Sequence, residues 1–199
     1  MLATVSALAE AISALHGGGI VVIPTDTVYG VAGRADLADA VQAIFEVKGR
    51  PKDRALPVLG AGIDDLRSVA SFSEAALRLA ERFWPGPLTL VVPRAERFTF
   101  DLGGTDRATV GVRAPAHPLA LELLGETGPL AVTSANLSGH EAASTVEQAR
   151  EMLGDAVAVY LDGGPLAGSP STVVRVGGEL EVLREGGIGE GALRDALQT

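Results

Sequence analysis

The sequence predicts an α/β layer protein in which helices flank a twisted, mixed sheet. Three observations carry that expectation. Short β-branched runs alternate with segments whose apolar residues recur at helical spacing. The chain has 199 residues, 47% of them hydrophobic and 21% charged, which suits one large domain with a sizeable core. Near the end, Gly177-Gly178 joins two short apolar runs as a hairpin turn would, so the sheet is not all parallel.

The elements follow in order. Residues 1–16 read as an amphipathic helix that Gly17-Gly18-Gly19 ends; Glu10 and the lack of a basic leader set it apart from a signal peptide. Residues 19–23 are a buried strand, closed by Pro24. Over residues 37–47 the apolar positions Leu37, Ala40, Val41, Ile44, Phe45 and Val47 predict a helix ending at Lys48. Residues 56–59 are a short strand. Ser73 caps a helix running to Trp84, where Pro85-Gly86-Pro87 stops it. Strands are predicted at 88–92 and 109–112, a short helix at 119–124 and a further strand at 130–133. Thr145 caps a helix that reaches Leu153. Strands at 157–161, 172–176 and 180–183 follow, and a helix over 190–197 closes the chain. The polar stretch 94–107 reads as a long mobile loop rather than a domain boundary.

Composition excludes several classes of function. With 16 basic residues against 25 acidic ones, the net charge is −9, against a protein that coats nucleic acid through broad positive potential. The chain has no cysteine, which removes disulfides, thiolate metal sites and cysteine nucleophiles together. No apolar run approaches the ~20 residues of a membrane helix, so a soluble, cytoplasmic protein is expected. His16, His117 and His140 are too dispersed in sequence to suggest a metal site.

Positive charge is scarce and concentrated. Both lysines, Lys48 and Lys52, fall in the window Lys48-Gly49-Arg50-Pro51-Lys52-Asp53-Arg54 with two arginines. Like charges this close repel, and an anion between them relieves the repulsion. Pro51 forbids a helix through the window, and in an extended run Lys48, Arg50, Lys52 and Arg54 would share a face. The alternative is a solvated basic loop.

Two familiar phosphate motifs fail. Neither lysine precedes a hydroxyl residue, so there is no P-loop. Gly187-Ile188-Gly189-Glu190-Gly191-Ala192 matches a dinucleotide fingerprint in letters, but no second strand can follow so near the end. Other polar clusters lie beside predicted strands. Pro24-Thr25-Asp26-Thr27-Val28-Tyr29-Gly30 and Thr133-Ser134-Ala135-Asn136 each follow one directly, where open sheets place ligands. Arg113 ends another, suited to bidentate capture of a carboxylate or phosphate. Ser171 and Arg184 flank two more. Taken singly, each reads equally well as a turn residue satisfying local backbone groups.

In their order and spacing these segments resemble the YrdC/YciO-like family. Those that carry the resemblance are 24–30, Lys48-Gly49-Arg50-Pro51, Trp84-Pro85-Gly86-Pro87-Leu88-Thr89, 110–115, Ser134-Ala135-Asn136-Leu137-Ser138-Gly139, Ser171-Thr172-Val173-Val174 and 183–188. The resemblance implies one YrdC-like domain over residues 1–199, a twisted α/β sheet around a deep, positively charged cavity. It implies an L-threonylcarbamoyladenylate synthase, a nucleotidyltransferase that joins L-threonine, bicarbonate or CO2 and ATP and releases pyrophosphate. The product would serve tRNA N6-threonylcarbamoyladenosine (t6A) modification, through hand-off to a tRNA threonylcarbamoyl-transferase complex.

Carried over by position, Lys48 and Arg50 are the implied catalytic pair on the ATP phosphates, with Arg54, Thr109, Ser134, Asn136 and Arg184 as further ATP contacts. Thr27, Arg113 and Ser171 are the implied L-threonine contacts, Arg113 on the carboxylate, and Val132 contributes backbone. Mg2+ is expected to arrive with ATP. Two positions depart from the family pattern: Arg54 stands where many members have Asn, and Leu59 where many have His. Leucine cannot hydrogen-bond an amino acid, so the departure bears on amino-acid selectivity. Two other readings remain at this stage: a carbamoyl-transferring relative, and a non-catalytic RNA-binding module with weak RNA affinity.

Overall fold

The computed structural model describes residues 2–166 and 168–198, with side chains from Ser6 onward. Among the described residues, nine strands form a single mixed sheet in the order β7-β1-β2-β6-β3-β5-β4-β8-β9. They are β1 (Val21–Ile23), β2 (Gly30–Arg34), β3 (Val58–Leu59), β4 (Leu88–Pro93), β5 (Thr109–Arg113), β6 (Leu130–Ser134), β7 (Val159–Tyr160), β8 (Thr172–Val176) and β9 (Leu180–Arg184). The pairs β1/β7, β3/β5 and β4/β8 are parallel and the others antiparallel, so the sheet is mixed, as the hairpin implied. The helices are α1 (Leu2–His16), α2 (Ala38–Lys48), α3 (Ile63–Leu66), α4 (Glu74–Phe83), α5 (Pro118–Thr127), α6 (Val146–Leu153) and α7 (Glu190–Gln198). Among the described residues, no helix is long and apolar enough to cross a membrane.

The helix caps are local and explain the helix boundaries. Ser73 accepts a hydrogen bond from the Ala76 amide at the start of α4. Thr145 and Gln148 form a reciprocal capping box on α6. At the end of α2, Gly49 adopts the left-handed conformation (φ 56°), and the Gly49 and Arg50 amides return to the Glu46 and Phe45 carbonyls. Two elements have no counterpart in the sequence reading. Strand β2 carries Gly30 and Gly33, a residue type depleted in strands; a Cβ at Gly33 would crowd Ile20, Ala40 and Ile44, where α2 packs against the strand. Helix α3 is four residues long, too short for a periodic signal.

Alternation along the strands divides the core in two. On one face Val22, Val31, Val58, Leu90, Val112, Ala131 and Val174 pack against α2, α4, α6 and α7. On the other, Val21, Ile23, Ala32, Leu59, Leu130 and Val132 pack against Leu8, Ala11 and Leu15 of α1 and Leu123 and Leu124 of α5. The outward residues of β4, β5 and β8 on this second face are Thr89, Val91, Thr109, Gly111, Arg113, Val173 and Arg175, and none belongs to either core cluster. The stretch 94–107 is a long loop that seats Phe98 and Leu102 in the first core, while Arg94 donates to the Thr109 and Phe100 carbonyls.

Candidate functional site

A cleft of about 620 Å3 lies over the half of the second face that α1 and α5 leave open. Its floor is the i, i+2 set Thr89 and Val91 on β4, Thr109, Gly111 and Arg113 on β5, and Val173 and Arg175 on β8. Four arginines line it, Arg50, Arg113, Arg175 and Arg184, against two carboxylates, Asp53 and Asp106. It runs along a face, not at one edge. The ladder sets Arg113 level with Leu59 and Leu130, at the opposite end of β6 from Ser134, yet both residues line the cleft. The polar residues at the ends of β1, β5 and β6 all reach the cleft: the loop between β1 and β2 folds back and meets Arg113 over the open face.

That meeting is largely buried. Arg113, only 6% exposed, donates from Nε to the Gly86 carbonyl (3.0 Å) and from Nη1 to Thr27 Oγ1 (3.1 Å). Its Nη2 pairs with Asp26 Oδ1, which also accepts the Ala116 amide. Asp26 Oδ2 is buried without a protein hydrogen-bond partner. Thr25 links the loop internally, its hydroxyl bonding Thr27 Oγ1 (2.9 Å) and the Val28 carbonyl. Three of the five guanidinium donors are thus committed, and two remain for a ligand. Burial pulls the Arg113 pKa down, opposed by the Asp26 charge.

Ser171 and Arg184 meet beside Thr89 in the cleft lining. Arg184 donates to the Ser171 carbonyl and hydroxyl, and Ser171 Oγ lies 2.9 Å from Thr89 Oγ1. Arg184 reaches this face because of a bulge. The register steps from Val174↔Val182 to Val173↔Arg184, so Leu183 is an extra residue on β9. Strict alternation would have put Arg184 on the same face as Leu180 and Val182, which pack against the first core.

The basic window does not act as one face. Helix α2 runs to Lys48, and the left-handed Gly49 turns the chain before an extended run can form. Arg50 lines the cleft and donates to the Arg54 and Ala55 carbonyls, while Lys52 and Arg54 are exposed and outside the cleft lining. Burial, then the charge of Arg54, lowers the Arg50 pKa. Lys48 is only 2% exposed, and it too is absent from the lining. Its ammonium donates to the Ser134 carbonyl, the Asn136 carbonyl and Asn136 Oδ1.

Of the expected site residues, Thr27, Arg50, Thr109, Arg113, Val132, Ser134, Asn136, Ser171 and Arg184 all line the cleft, and so does Leu59. Thr89, Gly111 and Arg175 also line it and were not singled out as site residues. Thr89 carried a signal, a lone hydroxyl in the apolar run Leu88-Thr89-Leu90-Val91-Val92. Among the described residues no three His, Cys, Asp or Glu side chains converge as a metal site.

Fold and cleft together define an α/β protein with a ligand-sized, arginine-lined groove on an open sheet face. The Sua5/YciO/YrdC family, described under telomere recombination, matches residues 13–186, and the chain belongs to that family. It is 43% identical over 193 residues to a putative threonylcarbamoyl-AMP synthase of Mycobacterium tuberculosis, covering 96% of this chain and 88% of that protein. The threonylcarbamoyl-AMP synthase of Bacillus subtilis is 40% identical over 91% of this chain, which spans 54% of it. Among solved structures, Pyrococcus abyssi Sua5 complexed with L-threonine is similar with a TM-score of 0.90 and 36% identity, over 95% of this chain and 56% of that one. Escherichia coli YciO gives 0.84 and 26%, over 92% and 90%.

Proposed function

We propose that this chain is a threonylcarbamoyl-AMP synthase, which joins L-threonine, bicarbonate or CO2 and ATP and releases pyrophosphate for tRNA t6A modification. The observation that carries the reading is the cleft itself, which gathers a buried, partly uncommitted arginine and a row of hydroxyl, amide and guanidinium groups on one open face. Its deep and basic character is part of the proposal. Synthases of the same name, similar over most of this chain, support it. So does the relative that holds L-threonine.

In this reading Arg113, held by Asp26 and Gly86, presents its two spare donors to the threonine carboxylate, beside Thr27 and Ser171. Leu59 and Val132 form an apolar wall there. The threonine amine captures CO2 as a carbamate, whose oxygen attacks the α-phosphorus as the bond to the pyrophosphate oxygen breaks. Arg50 and Arg184 offset charge developing on the phosphates, and Thr109, Ser134 and Asn136 place the nucleotide. No covalent enzyme nucleophile is required. Mg2+ would arrive with ATP; among the described residues no three His, Cys, Asp or Glu side chains converge. When bound it would neutralise phosphate charge.

The product would pass to a tRNA threonylcarbamoyl-transferase complex, and the cytoplasm is the proposed site of action. The test is pyrophosphate release with each substrate omitted in turn. A synthase releases it only when threonine, bicarbonate and ATP are all present. Release without threonine, or salt-sensitive RNA binding with no release at all, overturns the proposal.

A further inference from the structure

Lys48 presents a problem for any role on a phosphate. Its ammonium has three hydrogens and three acceptors, two carbonyls and one side-chain amide oxygen, all within residues 134–136. The contact is reciprocal. The Ser138 amide donates to the Lys48 carbonyl (2.8 Å), satisfying one of the unpaired acceptors at the end of α2. Asn136 then extends the grip, its Nδ2 donating to the Leu137 and His140 carbonyls (2.8 Å each). The loop so tied supplies Ser134, Asn136 and His140 to the cleft wall, whereas Lys48 supplies nothing to it.

We propose that Lys48 is a positioning residue, a buried cationic clasp that fixes the 134–140 loop on the end of α2 and never touches the ligand. This rests on the nucleotide reading only for what the loop is positioned to bind. To reach a phosphate in the cleft, the ammonium would abandon all three bonds, leaving the Ser134 carbonyl only the Asn136 amide (3.0 Å) and taking the cation from the Asn136 carbonyl and Oδ1, a costly loss for buried acceptors. The groups facing it are few. Burial, and then the charge of Arg50 from the loop after its own helix, lower its pKa to about 8. On the opposing loop His140 and Glu141 are exposed, and neither side chain bonds it.

The chain has only two lysines, so amine labelling resolved by mass spectrometry tests this on the unmodified protein. Lys48 should label at least about tenfold more slowly than Lys52 in free protein, because its three bonds must open first, and saturating ATP should not change its rate. Labelling of Lys48 as fast as Lys52, with protection by ATP, overturns the proposal. A double-mutant cycle gives the second readout. Lys48→Met should raise the ATP KM with the threonine KM unmoved, and adding Asn136→Ala should weaken ATP no further, whereas adding Arg50→Ala should multiply the loss. Multiplicative losses for Lys48→Met with Asn136→Ala also overturn it. If the protein bound no ATP, the synthase reading would fail, yet slow Lys48 labelling in free protein would still stand.

Discussion

Over β1, β2 and β6 the second sheet face carries Val21, Ile23, Ala32 and Leu130 beneath α1 and α5; over β5, β4 and β8 it carries Gly111, Arg113, Thr89 and Val173 beneath the cleft. The same alternation builds both halves. They differ in what lies on top. A helix demands apolar side chains below it, because a polar group under an apolar cover loses its water without a partner. The open half instead accumulates hydroxyls, a missing side chain and a guanidinium already steadied by its own carboxylate. Residue class along a single strand face therefore records whether protein or ligand is to cover it.

Arg113 offers the hardest test of that contrast. It and Asp26 are 7% and 14% exposed in their side chains, and Asp26 keeps only one amide once the arginine is gone. Arg113→Met should destabilise the fold by about 3–5 kcal/mol in urea denaturation, as removing one partner of a buried pair does. Adding Asp26→Leu should recover much of that stability, yet not threonine-dependent pyrophosphate release. Recovery of both would mean the pair serves the fold alone. Arg50 stands at the other extreme, half-buried and bonded only to loop carbonyls. Arg50→Ala should lower turnover on the order of 100-fold, as loss of one transition-state donor does, with an unchanged urea midpoint.

The halves can also be set against each other by adding bulk to each. Ala32→Val adds bulk at a fully buried position on the covered half and should cost about 1–3 kcal/mol with KM values unaffected. A Cβ at Gly111 would lie 3.4 Å from Thr89 Cγ2 and 3.5 Å from Pro57 Cβ, ordinary contact, so Gly111→Val should be stable. Its remaining methyls enter the cleft and should raise the ATP KM by about tenfold. If both variants lose stability equally and neither changes KM, the open half is only a poorly packed core.

Features written in short range were legible in the sequence. The Ser73 cap and the Thr145–Gln148 box act within three residues, and the helix starts were predicted from Ser73 and Thr145. The hydroxyl, amide and guanidinium clusters beside strands were visible as residue types that an apolar core would not choose. What escaped depends on tertiary placement. Strand β2 carries Gly33 where α2 lies close against it and Gly30 where the Val132 side chain does, reasons found only in the packed structure. Arg184 enters the cleft through a one-residue bulge, which reverses the face that strict alternation assigns. Lys48 shows the same limit most sharply: in sequence it is a cation among cations, and only the loop brought from 86 residues away makes it a buried donor.

The smallest effect follows from that burial and has a sign opposite to intuition. With its folded pKa lowered to about 8 from 10.5, chiefly by burial and then by Arg50, Lys48 binds its proton less tightly in the folded chain than in the unfolded one. Below about pH 8 the fold bears the cost of a buried charge. Above it the folded state sheds the proton while the unfolded chain keeps it up to about pH 10.5, so this group's contribution to stability rises with pH through that window. Between pH 7 and 9 the gain should be about 1 kcal/mol relative to Lys48→Arg, which stays charged throughout. ATP affinity should move the other way, falling as the clasp loses its charge. Parallel urea titrations and ATP binding at the two pH values check both signs. Stability and affinity falling together in the wild type, with the arginine variant following the same course, would place the titrating group elsewhere in the cleft.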